Sequence, residues 1–292
     1  MSAIKKAIIT DAGFASRYLP ITKTIPKAMI PIGPKPVMQL CVEECAKAGI
    51  EEIIIVATPN TKSKEIYEDY FHNKAGNVKA LLEKQGKSER FEPVEKVLNF
   101  PKITVIEQDP TLPYGNGSPI ATAKGFINDN EPFVVLYSDD VVFGTSAIKE
   151  LIEAYEEHPD ATAIISGQLV PHEEIKKYAS IDYNKETGVL NGLVEKPKPE
   201  EAASDLASYG RYLLTPAVFE YLNPDFTGLD GELWTADAIA HLIPTGKVYV
   251  KETSGNWMTT GDPKNYFLAH LNYVLSETDY ADDVKKAIES AK

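Results

Sequence analysis

Three basic residues, Arg17, Lys23 and Lys27, follow a short apolar run near the beginning of the chain. The run, residues 7–10, has the composition of a buried β-strand, and Gly13 comes soon after it. A strand that ends in a glycine-containing loop with fixed positive charges is a common way to hold a phosphate chain. Backbone N–H groups and cations then point at one place. The loop therefore predicts a site for a phosphorylated ligand.

The charge of the whole chain sharpens this interpretation. The formal net charge is −13, which excludes nucleic acid and anionic membranes as expected partners because both need a broad basic surface. Against this acidic background the cations of the loop, to which Lys35 can be added, favour an anionic small molecule. Lys35 is equally well explained as a solvated lysine ahead of a helix.

Polar and glycine residues also follow later strands. In an open α/β sheet, ligands bind outside the carboxyl ends of the strands. Gln108 follows one such strand, and Gly115 and Gly117 open the next helix. The glycines are either an ordinary helix start or a place where a planar base approaches the backbone. Asp139 and Asp140 end another strand, where they either cap a turn or hold Mg²⁺, which prefers one or two carboxylates plus substrate phosphates.

The elements that must position these residues follow from the hydrophobic pattern. Short apolar runs alternate with helical patterns, which predicts an α/β, Rossmann-like, doubly wound fold with a mostly parallel mixed sheet flanked by helices. Residues 178–183 and 189–194 predict a hairpin in a small β elaboration. The strand at 247–252 is expected to be the last, before C-terminal helices at 263–277 and 281–291. We expect a single domain over 1–292.

The remaining composition excludes several classes of protein. The sequence contains no apolar run of about 18 residues, so no membrane span is predicted. Residues 1–6 lack the apolar segment of a signal peptide, so a cytoplasmic location is expected. Cys41 and Cys45 are spaced as two buried helical thiols, and not as a disulfide framework. The histidines show no metal-ligand spacing, so no zinc site is expected.

The first loop also resembles a known family. Residues 12–31 match the pattern A-G-x-G-T-R-x-L-P-x-T-K-x-I-P-K-x-M-x-P of the nucleotidyltransferases that make nucleotide sugars, and most closely that of the bacterial UTP–glucose-1-phosphate uridylyltransferases. The resemblance covers nearly the whole chain. Further matches, in chain order, are Gln108, Gly115 and Gly117, Asp139, residues 194–198, Gly210 to Tyr212, Glu232 and residues 237–239.

The resemblance implies a reaction, a cofactor and a role for each matching residue. UTP and glucose 1-phosphate would give UDP-glucose and pyrophosphate by Mg²⁺-dependent, in-line attack on the α-phosphorus. The implied roles are uracil binding by Ala12, Gly13, Gln108, Gly115 and Gly117, triphosphate binding and catalysis by Arg17 and Lys27, magnesium binding by Asp139, and sugar and sugar-phosphate binding by Glu195, Lys196 and Ala179. The halves would be 1–167 for the nucleotide and 168–262 for the sugar, followed by the helices at 263–292. A homo-oligomer, either a dimer or a tetramer, is also implied.

Four positions depart from the family pattern. Ala15 replaces the second glycine of the first loop, and Asp11 stands where a small or apolar residue is usual, so that a methyl group and a carboxylate come close to the phosphates. Ala179 replaces a glycine at the sugar. Thr259 replaces the second metal carboxylate, and a hydroxyl is a weaker ligand for magnesium.

These departures leave alternatives open. One is a nucleotide-sugar-binding or regulatory homologue that has lost turnover, and another is an active enzyme with a different nucleotide, such as dTTP, or a different sugar 1-phosphate. From the residues alone, Glu195 and Lys196 are also explained as an exposed, charged strand end. A dehydrogenase is disfavoured because the first loop has no G-x-G-x-x-G.

Overall fold

The computed structural model describes residues 4–228 and 231–291. Its strands are β1 (Lys6–Asp11), β2 (Pro31–Ile32), β3 (Lys35–Pro36), β4 (Glu52–Ala57), β5 (Lys102–Glu107), β6 (Phe133–Tyr137), β7 (Asp140–Phe143), β8 (Ala163–Leu169), β9 (Ala179–Tyr183), β10 (Leu190–Glu195), β11 (Leu206–Ser208), β12 (Arg211–Leu214), β13 (Val248–Glu252) and β14 (Asn256–Thr259). Its α-helices are α1 (Val37–Lys47), α2 (Ser63–His72), α3 (Gly76–Lys84), α4 (Glu92–Leu98), α5 (Ser118–Thr122), α6 (Ala147–Glu157), α7 (Thr235–Ala240), α8 (Pro263–Glu277) and α9 (Ala281–Ser290). The expectation about a leader segment falls partly on residues 1–3, which lie outside this range.

One large mixed sheet organises the molecule. Its strand order is β10-β9-β11-β8-β12-β6-β1-β4-β5, and β13 pairs with β8. Strands β6, β1, β4 and β5 are parallel neighbours, whereas β12 runs antiparallel to both β6 and β8. The predicted mixed α/β sheet flanked by helices is confirmed, with its parallel pairs concentrated in the first half of the chain.

The parallel strands are buried on both faces, as their apolar runs predict. Along β4, Ile53 and Ile55 pack into one hydrophobic cluster with α1 and α6, and Ile54 and Val56 pack into a second cluster with α5 and α7. Successive side chains point to opposite faces of a strand, so two separate helix layers cover the sheet. This arrangement leaves the carboxyl ends of the strands as the open edge.

The hairpin is present as predicted, because β9 and β10 are antiparallel neighbours. The expectation that residues 247–252 form the last strand is wrong. Strand β14 follows and pairs with β7 in a separate two-stranded sheet, with Thr259 opposite Asp140. Both strands have only four residues, and their pairing joins positions more than 100 residues apart, so neither has a strong local signal.

Two further observations concern the chain as a whole. Cys41 and Cys45 are both buried free thiols, as their spacing predicts. Within residues 4–228 and 231–291, no helix is long and apolar enough to cross a bilayer.

Candidate active site

A cavity of about 840 Å³ opens outside the carboxyl ends of β1, β5 and β6. The structure brings most of the candidate residues together in its wall, which contains Ala12, Gly13, Arg17, Lys27, Gln108, Gly115, Asp139, Ala179, Glu195, Lys196 and Thr259. Residues from both halves of the chain therefore meet in one space. Its position is where an open α/β sheet binds ligands.

The first loop leaves β1 at Asp11 and returns through three short 3₁₀ turns to α1. Ala15 has a φ of +47°, in the left-handed region that favours glycine. Its carbonyl accepts a hydrogen bond from the Thr22 hydroxyl at 3.0 Å. Tyr18 pins the loop to the C-terminal region by donating to the Thr260 carbonyl at 2.6 Å. The family pattern has a glycine at this position because the backbone there adopts a left-handed conformation, which glycine reaches most easily.

The four cations that were grouped by sequence separate in the structure. Arg17 is exposed in the cavity, and its Nη1 donates a long hydrogen bond of 3.4 Å to the Gly261 carbonyl. Lys27 is half-buried and also lines the cavity. Lys35 instead forms an ion pair with Glu43 at 2.9 Å, and Lys23 is exposed. In the described part of the chain, the wall of the cavity includes Arg17 and Lys27 but neither Lys23 nor Lys35.

Lys27 and Asp139 form the central charge pair. Lys27 Nζ lies 2.9 Å from Asp139 Oδ2. Burial alone would lower the pKa of Lys27, but Asp139 and Asp11 outweigh it and raise that pKa above its usual value. Burial would likewise raise the pKa of Asp139, but Lys27 outweighs it and lowers that pKa. Both groups are therefore held in their charged forms, facing the cavity.

Three further residues of the cavity wall carry oxygen groups near Asp139 in the chain or near Thr259, and each has a hydrogen-bond partner of its own: Thr259, Asp140 and Asp262. The Thr259 hydroxyl donates to the backbone carbonyl of Asp139 at 3.3 Å and accepts from the Gly261 N–H at 3.1 Å. The carboxylate of Asp140 accepts from Trp257 Nε1 at 2.8 Å, and burial together with Asp139 raises its pKa. Asp262 caps α8 by accepting from the Asn265 N–H at 3.0 Å. Both carboxylates thus already accept hydrogen bonds within the protein.

The carboxylate of Asp11 does not stand free against a phosphate chain. It is buried and accepts hydrogen bonds from the Ser138 hydroxyl at 2.7 Å and from the Tyr67 hydroxyl. Burial raises the pKa of Asp11, although Lys27 opposes this shift. The sequence suggests repulsion between the Asp11 carboxylate and the phosphates of a ligand. Two hydrogen-bond donors and the positive charge of Lys27 reduce this repulsion.

Gly115 and Gly117 make a close backbone contact with Leu233. A Cβ on Gly115, whose φ is +136°, would lie 2.2 Å from the Leu233 carbonyl oxygen, and one on Gly117 would lie 2.9 Å from it. The Gly117 N–H donates to that carbonyl at 2.8 Å. Gly115 lines the cavity beside Asn116, whereas Gly117 packs behind the wall. The glycines thus join the first half of the chain to the residues before α7.

Glu195, Lys196 and Ala179 form the opposite wall. Ala179 of β9 pairs directly with Glu195 of β10. Burial raises the pKa of Glu195 to about 7, with Asp237 and Glu232 acting in the same direction and Lys196 against it. A half-buried carboxyl beside a lysine can accept hydrogen bonds from hydroxyl groups, and the ammonium can bind an anion.

Sequence reasoning missed several residues of the wall. Lys176 and Lys177 precede β9 and add two cations to the cavity, and Trp234 and Tyr209 add aromatic faces. The Lys-Lys pair before a strand was a visible signal. The two aromatic residues had no local signal, because only the packing of β11, β12 and α7 brings them to the cavity.

Comparison with known proteins places the chain in a family. A family model described as nucleotidyl transferase matches residues 6–275. The UTP–glucose-1-phosphate uridylyltransferase of Staphylococcus epidermidis is 39% identical over 293 residues, covering 99% of each chain. UTP–glucose-1-phosphate uridylyltransferase 2 of Staphylococcus saprophyticus is 38% identical over 296 residues, covering 100% of this chain and 99% of the relative.

Solved structures agree with this placement. The UTP-bound UGPase from Acinetobacter baumannii has a TM-score of 0.85 at 28% identity, over 99% of this chain and 100% of that one. A UDP-glucose pyrophosphorylase complexed with UDP-glucose has a TM-score of 0.79 at 31% identity, over 92% of this chain and 98% of that one. The resemblance of the first loop is therefore confirmed across the molecule, and the chain belongs to the nucleotidyl transferase family.

Proposed function

We propose that this protein transfers the uridylyl group of UTP to glucose 1-phosphate, releasing pyrophosphate and forming UDP-glucose. The observation that carries the proposal is the meeting, in one cavity, of two cations from the first loop with a carboxylate and a lysine from the second half of the chain. The two full-length relatives described above bear the name of this activity. A nucleotide on one wall and a sugar phosphate on the other would face each other across Asp139.

On the nucleotide wall, the backbone of Ala12 and Gly13 with Gln108 and Gly115 would hold the uracil. Gly117 supports this wall through its contact with Leu233. Arg17 and Lys27 would bind the triphosphate, because exposed or half-buried cations that face a cavity can neutralise phosphate oxygens. Arg17 is suited to this role because its described hydrogen bond is a single long one to a carbonyl.

The reaction needs alignment and charge neutralisation, and no covalent group of the protein. An oxygen of the sugar phosphate attacks the α-phosphorus of UTP, a new P–O bond forms, and the bond from the α-phosphorus to the bridging oxygen of pyrophosphate breaks. Negative charge develops on the leaving pyrophosphate. Arg17 and Lys27 would stabilise this charge, and the cavity would hold both reactants in line.

Asp139 would hold Mg²⁺, with phosphate oxygens and water as the other ligands. The fit rests on the oxygen chemistry of the site, since magnesium is commonly bound by one or two carboxylates plus substrate phosphates. Among residues 4–228 and 231–291 no cluster of three or more acidic, histidine or cysteine residues is placed to hold a metal. When bound, the ion supplies charge neutralisation at the phosphates. Thr259 already bonds backbone groups, so it contributes little.

On the sugar wall, Glu195 would accept hydrogen bonds from sugar hydroxyls and Lys196 would bind the sugar phosphate. Ala179 would lie beneath the sugar, opposite Glu195. We also propose that residues 1–292 act as a single domain with nucleotide and sugar halves at 1–167 and 168–262 and C-terminal helices at 263–292. A homo-oligomer, a dimer or tetramer, in the cytoplasm completes the proposal.

The test is a matrix assay of pyrophosphate release. Purified protein is incubated with each of UTP, dTTP, CTP, ATP and GTP against a panel of sugar 1-phosphates, with Mg²⁺ or Mn²⁺. We expect the highest rate with UTP and glucose 1-phosphate, and loss of that rate in Asp139→Asn. Release with another pair at a higher rate would keep the reaction and correct the substrate, whereas no release from folded protein would reject the proposal.

A regulatory homologue without turnover is the second candidate, favoured by the hydrogen-bonded hydroxyl of Thr259 where a metal carboxylate is usual. It predicts calorimetric binding of UDP-glucose that does not depend on Mg²⁺. Thr259→Asp, with Thr259→Asn as the uncharged control, would then create metal-dependent turnover. Metal-dependent turnover by the unmodified chain would remove this candidate.

A further inference from the structure

Lys196 has a strained backbone at the end of β10. Its φ is +46°, in the left-handed region, which is uncommon for a residue with a side chain. Such conformations persist only where the surroundings hold them, and they concentrate at functional sites. One restraint is the Lys196 N–H, which donates to the Tyr178 carbonyl at 3.0 Å. Lys196 lines the cavity.

The ammonium group of Lys196 lies over an aromatic ring. Nζ is 4.0 Å from the ring centroid of Trp234, within the range of a cation–π contact. Among the described residues, no carboxylate lies within 4.0 Å of this ammonium, although Glu195 is adjacent in sequence. The ring stabilises the cation and leaves the N–H donors that point away from it free, so an incoming phosphate does not have to displace a carboxylate.

Trp234 is fixed by the turn that contains the two glycines. The Leu233 N–H donates to the Tyr114 carbonyl at 2.7 Å. The Thr235 N–H donates to Asn116 Oδ1 at 2.8 Å. Backbone bonds on both sides of the tryptophan therefore fix the part of the chain from which its ring reaches the cavity wall.

We propose that Trp234 is a positioning residue, which holds the Lys196 ammonium where the phosphate of a sugar 1-phosphate binds. The inference rests on the proposed function and deepens it, because it assigns the sugar-phosphate subsite to a lysine that an aromatic ring supports. Trp234 acts through Lys196 and touches no reacting atom. A tryptophan that only packs in the cavity wall would affect the kinetics equally with and without Lys196. A tryptophan that stacks on the nucleotide would affect the KM for UTP.

A double-mutant cycle separates these roles. The variants are Trp234→Leu, Lys196→Met and the pair, each assayed for pyrophosphate release with separate KM values for glucose 1-phosphate and UTP. We expect Trp234→Leu to raise the KM for glucose 1-phosphate roughly 3- to 10-fold, to leave the KM for UTP within about twofold, and to have no further effect in the Lys196→Met background. Trp234→Phe, which keeps an aromatic face, should restore most of the loss.

The controls decide between positioning and packing. Tyr280→Leu removes an exposed aromatic ring that lies outside the cavity wall in the described chain, so it should leave the KM for glucose 1-phosphate unchanged. Equal effects of Trp234→Leu with and without Lys196 would overturn the inference. So would a Trp234→Phe variant as impaired as Trp234→Leu, or an equal rise in both KM values.

A binding measurement keeps the inference testable if the protein does not turn over any pair of substrates. Tryptophan emission is then followed during titration with glucose 1-phosphate and, separately, with inorganic phosphate. The change expected in the wild type should disappear in both Trp234→Phe and Lys196→Met. Absence of turnover would reject the proposed function alone, whereas an emission change that is lost in Trp234→Phe but persists in Lys196→Met would reject the role of Trp234.

Discussion

Two arginines of this chain occupy opposite environments. Arg211 is fully buried beneath the cavity, where Nε and Nη2 donate to Glu44 at 3.1 and 3.0 Å. Its other donors bond the carbonyls of Tyr137 and Asp140 at 3.0 and 2.8 Å. Arg17 is exposed in the cavity with one long bond to a carbonyl. The charge of Arg211 is satisfied within the protein and supports the packing beneath the cavity. The charge of Arg17 lines the cavity and is left for a ligand.

The same contrast holds for two glutamates. Glu44 is buried and paired with Arg211, and its second oxygen accepts from the Ile148 N–H at 3.3 Å. Glu195 is half-buried in the cavity wall, and burial raises its pKa to about 7. A buried group with its hydrogen bonds complete supports the fold, whereas a buried group waiting for a ligand costs stability. Substitution at the two regions should therefore give effects of opposite kind.

The largest effect is expected at Arg211. Arg211→Met leaves the Glu44 carboxylate buried without its partner, which should lower the free energy of unfolding by about 3–5 kcal/mol. Urea unfolding followed by circular dichroism measures this change. Arg17→Met, the matched substitution in the cavity, should change it by less than about 0.5 kcal/mol. Similar decreases in the free energy of unfolding of both variants would contradict the distinction between the buried arginine and the cavity arginine.

The cavity arginine, which should matter little for stability, should matter greatly for catalysis. Arg17→Met removes a cation that faces the triphosphate, so kcat/KM for UTP should fall roughly 100- to 1000-fold, the usual effect of losing one charge-stabilising group. Arg17→Lys should recover only part of it, because an ammonium lacks the planar fork. Arg90→Met, at an exposed arginine outside the cavity wall in the described chain, serves as the control. An Arg17→Met variant with near-normal kcat/KM would show that the exposed arginine is not a phosphate ligand.

Stability should depend on pH through Glu195. Its folded-state pKa of about 7 lies above the ordinary value of 4.5, so its favourable contribution is complete below pH 4.5 and is lost as the pH rises through 7. Glu195→Gln should match the wild type at pH 4.5 and exceed it by about 1–2 kcal/mol at pH 8, after allowance for screening by solvent. Glu44→Gln should destabilise the protein instead. A Glu195→Gln variant less stable than the wild type at pH 8 would place Glu195 with the paired groups.

The smallest effect is expected at Ala15, in the cavity loop. Ala15→Gly relieves the left-handed conformation but increases the entropy of the unfolded chain, so the net gain should be only about 0.5 kcal/mol. A small rise in the thermal midpoint by calorimetry is the expected result. Ala28→Gly, at a buried alanine of the same loop with no left-handed φ, should destabilise the protein. A destabilised Ala15→Gly would mean that the methyl group has a packing role.

Much of the first half of this fold could be predicted from sequence. The helical pattern at 37–47 predicts the bounds of α1, and the apolar runs at 7–10, 53–57, 103–106 and 133–137 predict β1, β4, β5 and β6 to within one residue at each end. Strands that are buried on both faces leave such continuous apolar runs. The short strands β7 and β14 were missed. Their pairing depends on contacts between distant segments, which no local pattern reports.

The candidate site could be predicted only where its residues lie close together in the chain. The first loop brings Arg17 and Lys27 within eleven positions, whereas the ion pair between Lys27 and Asp139 is a finding of the structure alone. Lys35 was grouped with them by proximity, yet Glu43 binds it on the following helix. Trp234 contacts Lys196 although the two residues are far apart in the chain, and no local sequence pattern reports such a contact.

The most direct test of the account is ³¹P NMR of the wild-type protein with UTP, glucose 1-phosphate and Mg²⁺. The account predicts that the resonances of UTP and of glucose 1-phosphate decline together while those of UDP-glucose and pyrophosphate rise in equal amounts. Arg17→Met at the same concentration should show little change over the same time. Unchanged UTP in the presence of folded wild-type protein would contradict the claim that the cavity transfers a uridylyl group.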